Sequence, residues 1–462
     1  MRQGDKDAAK SVFHGVLDKE GASVALAAYQ LGQMAEGDLN YAEAMRMYKK
    51  AVVLEEDKPE YLLAAGKMAR KLAEFKQAQE WLEHLREIRE AEGDGANLGN
   101  VLNELALVYK DQFQLAKADF LHRRALDVRE KIFGEEHQDT AESLNDLAFL
   151  CREQCRYEEA ESLFKRAVDT REKIFGKDHP DVAESLNNLA GLYRTQARYT
   201  EAELLYQRSL EIKEKTLVPH HPSIATSLNN IAMFYKNKGK YFDAELLYQR
   251  ALSIKEKSIG EAHPSFAITL NNLVNLYRDQ GRYIEAEPLY YRALNVREKI
   301  FGRDHQHIAG SYEGIATLYK NQGKCAEAEH LYQKAIDIKE RLLGKDHLSL
   351  AVTICNLADL YQNQEMYQEA EKLNSRALYI REEILGKEHP SVANSLNNFA
   401  NLYRLQKRYA EAEPLYQRAL SIMREKFPGG HPKVDRYQKD YDELKQKMAE
   451  QQAAATQEKN HV

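Results

Sequence analysis

The stretch HPDVAESLNNLAGLYRTQARYTEAELLYQRSLEIKEKTLVPH, residues 179–220, decides the fold. It contains two amphipathic helical patterns and a turn, and the same pattern restarts at His221-Pro222. In its first half, Val182, Leu186, Leu189, Ala190 and Tyr193 fall at three- and four-residue spacing, which gives a helix over 180–195 one apolar face. Pro180 suits the first helical turn, where its missing N–H has no partner to lose. Arg198-Tyr199 turns the chain. The second half, from Thr200 to Ile212 and onward, places Ala202, Leu205, Tyr206, Ser209 and Ile212 on one face. Ala190 and Ala202 are the small residues expected where two helices cross closely.

Working outward, the pattern recurs every 42 residues. His137, His179, His221, His263, His305, His347, His389 and His431 keep the spacing, and so does the alanine series Ala118, Ala160, Ala202, Ala244, Ala286, Ala328, Ala370 and Ala412. Gly134, Gly176, Gly260, Gly302, Gly344 and Gly386 are expected to end the second helices as left-handed caps. A single hairpin cannot bury its apolar face alone, so the hairpins must stack. Length alone would suggest about three globular domains, but a chain of one repeated unit grows without adding cores. Upstream, Gly32/Gly66, Ala35/Ala69, Tyr41/Phe75 and Ala44/Ala78 repeat at 34 residues.

Small residues at the helix crossings, a tyrosine on the first helix and an aromatic on the second resemble the tetratricopeptide repeat (TPR) family. Asn187-Asn188-Leu189-Ala190 and the run Glu201 to Arg208 are similar to kinesin light chain repeats in particular. The resemblance implies an all-α fold, a right-handed superhelical solenoid of helix hairpins. Ten repeats are expected: two ordinary ones over 25–98 and eight 42-residue ones over 99–434. A leader or helix over 1–24, a polar closing helix over 435–450 and a flexible tail over 451–462 complete the organisation. Kinesin light chains carry a heptad coiled coil ahead of their repeats, which 24 residues cannot supply, so a motor-adaptor role is not implied.

Stacked TPRs line a concave face with their first helices, by resemblance. With Ala183 counted as the first residue of its repeat, the fifth, ninth, twelfth and thirteenth positions are expected to point inward. The fifth gives Asn103, Asn145, Asn187, Asn229, Asn271 and Asn397, with Glu313 and Cys355 as exceptions. The twelfth gives Lys110, Arg152, Arg194, Lys236, Arg278, Lys320 and Arg404, with Gln362 as the exception. Amides can bond both the donors and the acceptors of an extended peptide. A row of cations attracts carboxylates, and Arg can hold one in bidentate fashion. These thirteen residues form the candidate groove for a protein or peptide ligand of acidic character, the class that kinesin light chains take. The alternative for the Asn row is a structural bridge between repeats, and for the basic row a balance of acidic neighbours. The uninterrupted run from Asn103 to Arg278 is the expected groove. The repeat over His305–Leu343, with Gly310 and Gly314 in its first helix, is the expected soft point.

Catalysis is not expected. The paired carboxylates Glu159/Glu161, Glu201/Glu203, Glu285/Glu287, Glu327/Glu329 and Glu411/Glu413 recur in the first turn of second helices, where the helix dipole favours anions, and one active site would not repeat in that way. The histidines lie one per repeat, too far apart for one metal ion, so they are read as caps or hydrogen-bonding groups. The glycines from Gly93 to Gly99 fail the context of a dinucleotide fingerprint. No catalytic, cofactor or metal site is assigned, and no cofactor. The net charge of −6 argues against nucleic acid. No window is apolar enough to cross a membrane, the N-terminus has no apolar run of a secretory signal, and four cysteines make no disulfide framework. A cytoplasmic, monomeric scaffold or adaptor is the expectation. A self-associating solenoid, or the sensor portion of a larger multidomain signalling protein, is the alternative.

Overall fold

The computed structural model describes residues 22–93 and 95–460, with side chains to residue 453. The expected leader helix lies outside the described residues. Twenty-one α-helices and no strands make up the described chain. Two hairpins come first: α1 (Ala22–Gly37) with α2 (Tyr41–Leu54), and α3 (Pro59–Lys71) with α4 (Phe75–Glu92). The longer repeats follow as α5 (Gly95–Asp111) and α6 (Leu115–Phe133), α7 (Gln138–Glu153) and α8 (Tyr157–Phe175), then α9 (Pro180–Thr195) and α10 (Tyr199–Thr216). Next are α11 (Pro222–Asn237) and α12 (Tyr241–Ile259), α13 (Pro264–Asp279) and α14 (Tyr283–Phe301), then α15 (Gln306–Asn321) and α16 (Cys325–Leu343). The series ends with α17 (Leu348–Asn363) and α18 (Tyr367–Leu385), α19 (Pro390–Leu405) and α20 (Tyr409–Lys426), and the closing α21 (Pro432–Asn460).

The chain divides into two compact units. One holds residues up to Arg152 with Tyr157–Ala190 and Glu203–Ser311; the other holds Glu153–Arg156, Gly191–Ala202 and the chain from Tyr312. The same packing unit builds both. The alanine series from Ala118 to Ala412 is wholly buried, with its partners Ala106, Ala148, Ala190, Ala232, Ala316 and Ala400. A methyl group at these points lets the paired helices approach. In α1 even a methyl is too large: a Cβ on Gly32 would stand 2.6 Å from the Tyr48 ring.

Three expectations change in detail. The long repeats begin at Gly95 rather than residue 99, because Gly93 ends α4 in the left-handed region (φ 67°, ψ 19°) and the chain turns into α5 at once. The closing helix runs to Asn460 rather than ending near residue 450, since its Ala, Gln, Glu and Lys contain no helix breaker. The second-helix glycines have positive φ but not the left-handed ψ: Gly134 sits at φ 83°, ψ 178°. That extended region is open essentially to glycine alone.

Adjacent repeats are tied by a ladder that the sequence reading passed over. Arg129, Arg171, Lys213, Lys255, Arg297, Lys339 and Arg381 also lie 42 residues apart. Six of the seven are buried, and Arg297 is half-buried. Each donates to the hydroxyl fourteen residues on, as from Arg171 to Ser185 (3.0 Å), Lys213 to Ser227 (2.9 Å) and Lys255 to Thr269 (2.8 Å). Most also donate to the backbone carbonyl ten residues on, such as Lys255 to Ser265 O at 2.9 Å. The cation ends one second helix and the hydroxyl starts the next first helix, so each rung joins successive hairpins. Carboxylates of the second helices add outer ties: Glu245, Glu329 and Glu371 accept from Tyr277, Tyr361 and Tyr403 of the following repeat at 2.7–3.0 Å.

Candidate functional site

All eight loop histidines do the same work. Nδ1 of His137, His179, His221, His263, His305, His347, His389 and His431 accepts the backbone N–H two residues on, at 3.0–3.3 Å. This satisfies one of the open donors at each first-helix N-terminus. It also places the ring proton on Nε2. Two of these rings reach further within their own units: His305 Nε2 lies 3.2 Å from Lys71 O, and His389 Nε2 lies 3.2 Å from Glu153 O. Burial pushes the His263, His305, His389 and His431 imidazoles down from their ordinary range. Among the described residues no group of three or more His, Cys, Asp or Glu is placed to hold a metal ion.

Four of the fifth-position amides bridge successive repeats, or the last repeat and the closing helix. Asn103, Asn145, Asn187, Asn229 and Asn397 are buried, at 0–8% exposure. Asn103 Nδ2 donates to Ser143 Oγ and Asp146 Oδ2, both at 3.2 Å, and Asn397 Nδ2 to Asp440 Oδ2 at 2.9 Å. Asn145 donates to Ser185 Oγ at 3.2 Å. Asn229 accepts from Asn272 Nδ2 at 3.0 Å. Asn271 is half-buried. Where the series breaks, Glu313 accepts from Lys339 Nζ at 2.7 Å and from the Thr353 hydroxyl, so a buried ion pair takes over the bridge.

The twelfth-position cations are half-exposed but mostly engaged. Asp279 lies 2.7 Å from both Lys236 and Arg278. Lys320 pairs with Asp359. Lys110 stands 4.0 Å from Asp111, and Arg152 lies over the Phe149 ring with 4.9 Å to its centroid. Arg404 reaches Asn401 Oδ1 at 3.3 Å and Glu443 at 3.7 Å. Arg194 forms no ion pair among the described residues, and its Nε has no hydrogen-bond partner. The row is thus a chain of cations interleaved with carboxylates from the ninth and thirteenth positions.

The accessible face lies one residue along from the expected amides. The sixth-position residues Asn188, Asn230, Asn272, Asn356 and Asn398 are half-exposed, beside the ninth and twelfth. The signal was present in the sequence as the recurring Asn-Asn pair. Two concavities occur on this face. One, of about 290 Å³, includes Glu142, Asp146, Asp181 and Glu184 and is acidic. Burial, with Glu142 beside it, pushes the Asp146 carboxyl up to about 7. The other, of about 590 Å³, lies against α17, α19 and α21, and is lined by amides with Arg404, Lys433 and Arg436. It lies beyond the run from Asn103 to Arg278 that was the expected groove.

Comparisons with known proteins agree with the fold. The tetratricopeptide repeat pattern matches six overlapping stretches: residues 97–173, 139–215, 223–299, 265–341, 307–378 and 349–425. No curated protein matches the chain. Among solved structures, BtubC (BKLC) from P. vanneervenii is similar at 24% identity, covering 50% of this chain and 92% of that one, with a TM-score of 0.43. Kinesin light chain TPR-like repeats of Podosopora anserina match at 27% identity over 44% of this chain and 97% of that one, with a TM-score of 0.38. A Rap protein complexed with competence and sporulation factor matches at 15% identity over 83% of this chain and 99% of that one, with a TM-score of 0.50, which is a likeness of fold. No described helix is long and apolar enough to cross a membrane. With the repeat pattern matched across most of the chain and the hairpins in register behind it, the chain belongs to the tetratricopeptide repeat family.

Proposed function

We propose that this chain is a protein-interaction scaffold that holds a peptide segment, acidic in character, against the sixth, ninth and twelfth positions of its first helices. One observation carries the reading: these positions are half-exposed in register along most of the successive first helices, while the fifth is mostly buried. A repeating row of amides suits the donors and acceptors of an extended backbone. The cations that share the row supply the preference for carboxylates, tempered by the aspartates already among them.

The test is selection from a random peptide display library on the immobilised chain. The expected outcome is enrichment of sequences rich in Asp and Glu, with binding that weakens as salt rises. Enrichment of basic or apolar sequences, or none at all, would overturn the reading.

A further inference from the structure

The larger concavity opens where a short side chain replaces a ring in the repeat. On the second helices, Tyr206, Tyr248, Tyr290, Tyr332 and Tyr416 hold equivalent positions and are buried. Three of them reach across to the ninth position of the first helix: Tyr290 to Asn275 (2.6 Å), Tyr332 to Thr317 (2.8 Å) and Tyr416 to Asn401 (2.6 Å). In α18 the position is Asn374, buried at 4% exposure but shorter by most of a phenol ring. The space a tyrosine would fill is left open, and Asn374 lines the pocket.

The closing helix then supplies charge that earlier repeats lack. Lys433 and Arg436, on the first turns of α21, line the same pocket as Arg404. Neither forms an ion pair among the described residues. Lys433 Nζ donates only to the Asn394 amide oxygen, at 3.2 Å. Desolvation first, and then the positive charges of Arg436 and Arg381, push the Lys433 amine down from its ordinary range. The two aspartates in the lining are committed elsewhere: Asp359 to Lys320, and Asp440 to the Asn397 amide.

We infer that this pocket is the anchoring subsite of the peptide face, taking a carboxylate side chain of an acidic peptide between Arg404, Lys433 and Arg436, with Asn398 and Asn401 bonding the adjacent backbone. The inference rests on the proposed peptide-binding reading and adds to it a location and a cause, the loss of a tyrosine at Asn374.

The test uses the full chain and a fluorescein-labelled pool of random decapeptides that each carry two adjacent glutamates, read by fluorescence anisotropy. Three variants are compared with the wild type: Asn374→Tyr, which refills the space with the residue found in sister repeats; Arg436→Glu, exposed on the closing helix; and Lys257→Glu, exposed on the second helix α12 and part of neither the peptide face nor the pocket lining. Circular dichroism checks that each keeps its helix content. The expected result is binding by the wild type and Lys257→Glu, with a loss of about tenfold or more in each pocket variant. No loss in either pocket variant, or an equal loss in all three, overturns the pocket and leaves the peptide-binding reading standing. A wild type that binds the pool no better than its glutamine counterpart overturns both.

Discussion

Asn397 Nδ2 donates to Asp440 Oδ2 at 2.9 Å, joining the first helix of the last repeat to the closing helix. Asn397 is wholly buried, and the same link joins Asn103 to Asp146 at 3.2 Å near the start of the long repeats. The amide gives the carboxylate a donor without adding a second charge, and an anion so bonded is more strongly held than a neutral acceptor.

Asn397→Ala is therefore expected to loosen α21. The cost should be about 1–3 kcal/mol, because the carboxylate loses a buried donor. Asn397→Asp should cost more, since two carboxylates would then face each other. Hydrogen exchange of α21 amides checks this: faster exchange is expected there, with little change in α5 to α8. Uniform protection in the variant would refute the link.

The histidine caps make stability depend on acid. Burial lowers the His263, His305, His389 and His431 values in the folded chain. The unfolded imidazole titrates near 6.5, so these groups stabilise the fold fully above about pH 6.5 and progressively less below it. Protonation at Nδ1 would also remove the acceptor of each cap. Chemical denaturation at pH 7.5 and pH 5 should show a marked fall in midpoint. His263→Asn keeps a capping oxygen without the titration, and should reduce that fall by up to about 1 kcal/mol. An unchanged difference would argue against the caps as the cause.

Lys255 tests the buried ladder. Burial pushes its amine down to about 8, and it bonds Ser265 O and Thr269 Oγ1. Lys255→Met leaves both acceptors without the donor and should cost about 1–3 kcal/mol. Adding Thr269→Val removes one of the stranded groups and should recover part of the loss. A double variant less stable than the single one would contradict the ladder. Because the neutral amine suits the buried site, the cost should shrink as pH falls from 10 to 8, where the wild type must hold a charge.

Gly310 should be improvable. It lies inside α15, and a Cβ built there meets nothing within 4 Å. Gly310→Ala is expected to stabilise by about 1 kcal/mol through helix propensity and the restricted unfolded chain. Urea denaturation followed by far-ultraviolet circular dichroism measures it. A decrease in stability would point to a packing role for the bare backbone.

Much of this was legible because local rules repeat. The first helix of residues 179–220 begins and ends where the spacing places it, at Pro180 and Thr195. The histidines were read as capping groups, and they are. The exposed face was legible only to within one residue. Spacing marks a face about a third of the helix wide, and Asn187 and Asn188 both fall near its edge. Which of them meets the next repeat and which meets solvent depends on how adjacent hairpins rotate.

The sequence by itself determined the repeat, its helices, its caps and its alanine crossings, since all are set by contacts within one hairpin or its neighbour. Only the tertiary structure decided that Asn397 meets Asp440 of the closing helix, that Arg278 and Lys236 share Asp279, and that Arg404, Lys433 and Arg436 line the same pocket as Asn374. The reason is distance. These partners stand tens of residues apart in the chain, and their meeting depends on the stacking geometry that no single repeat encodes.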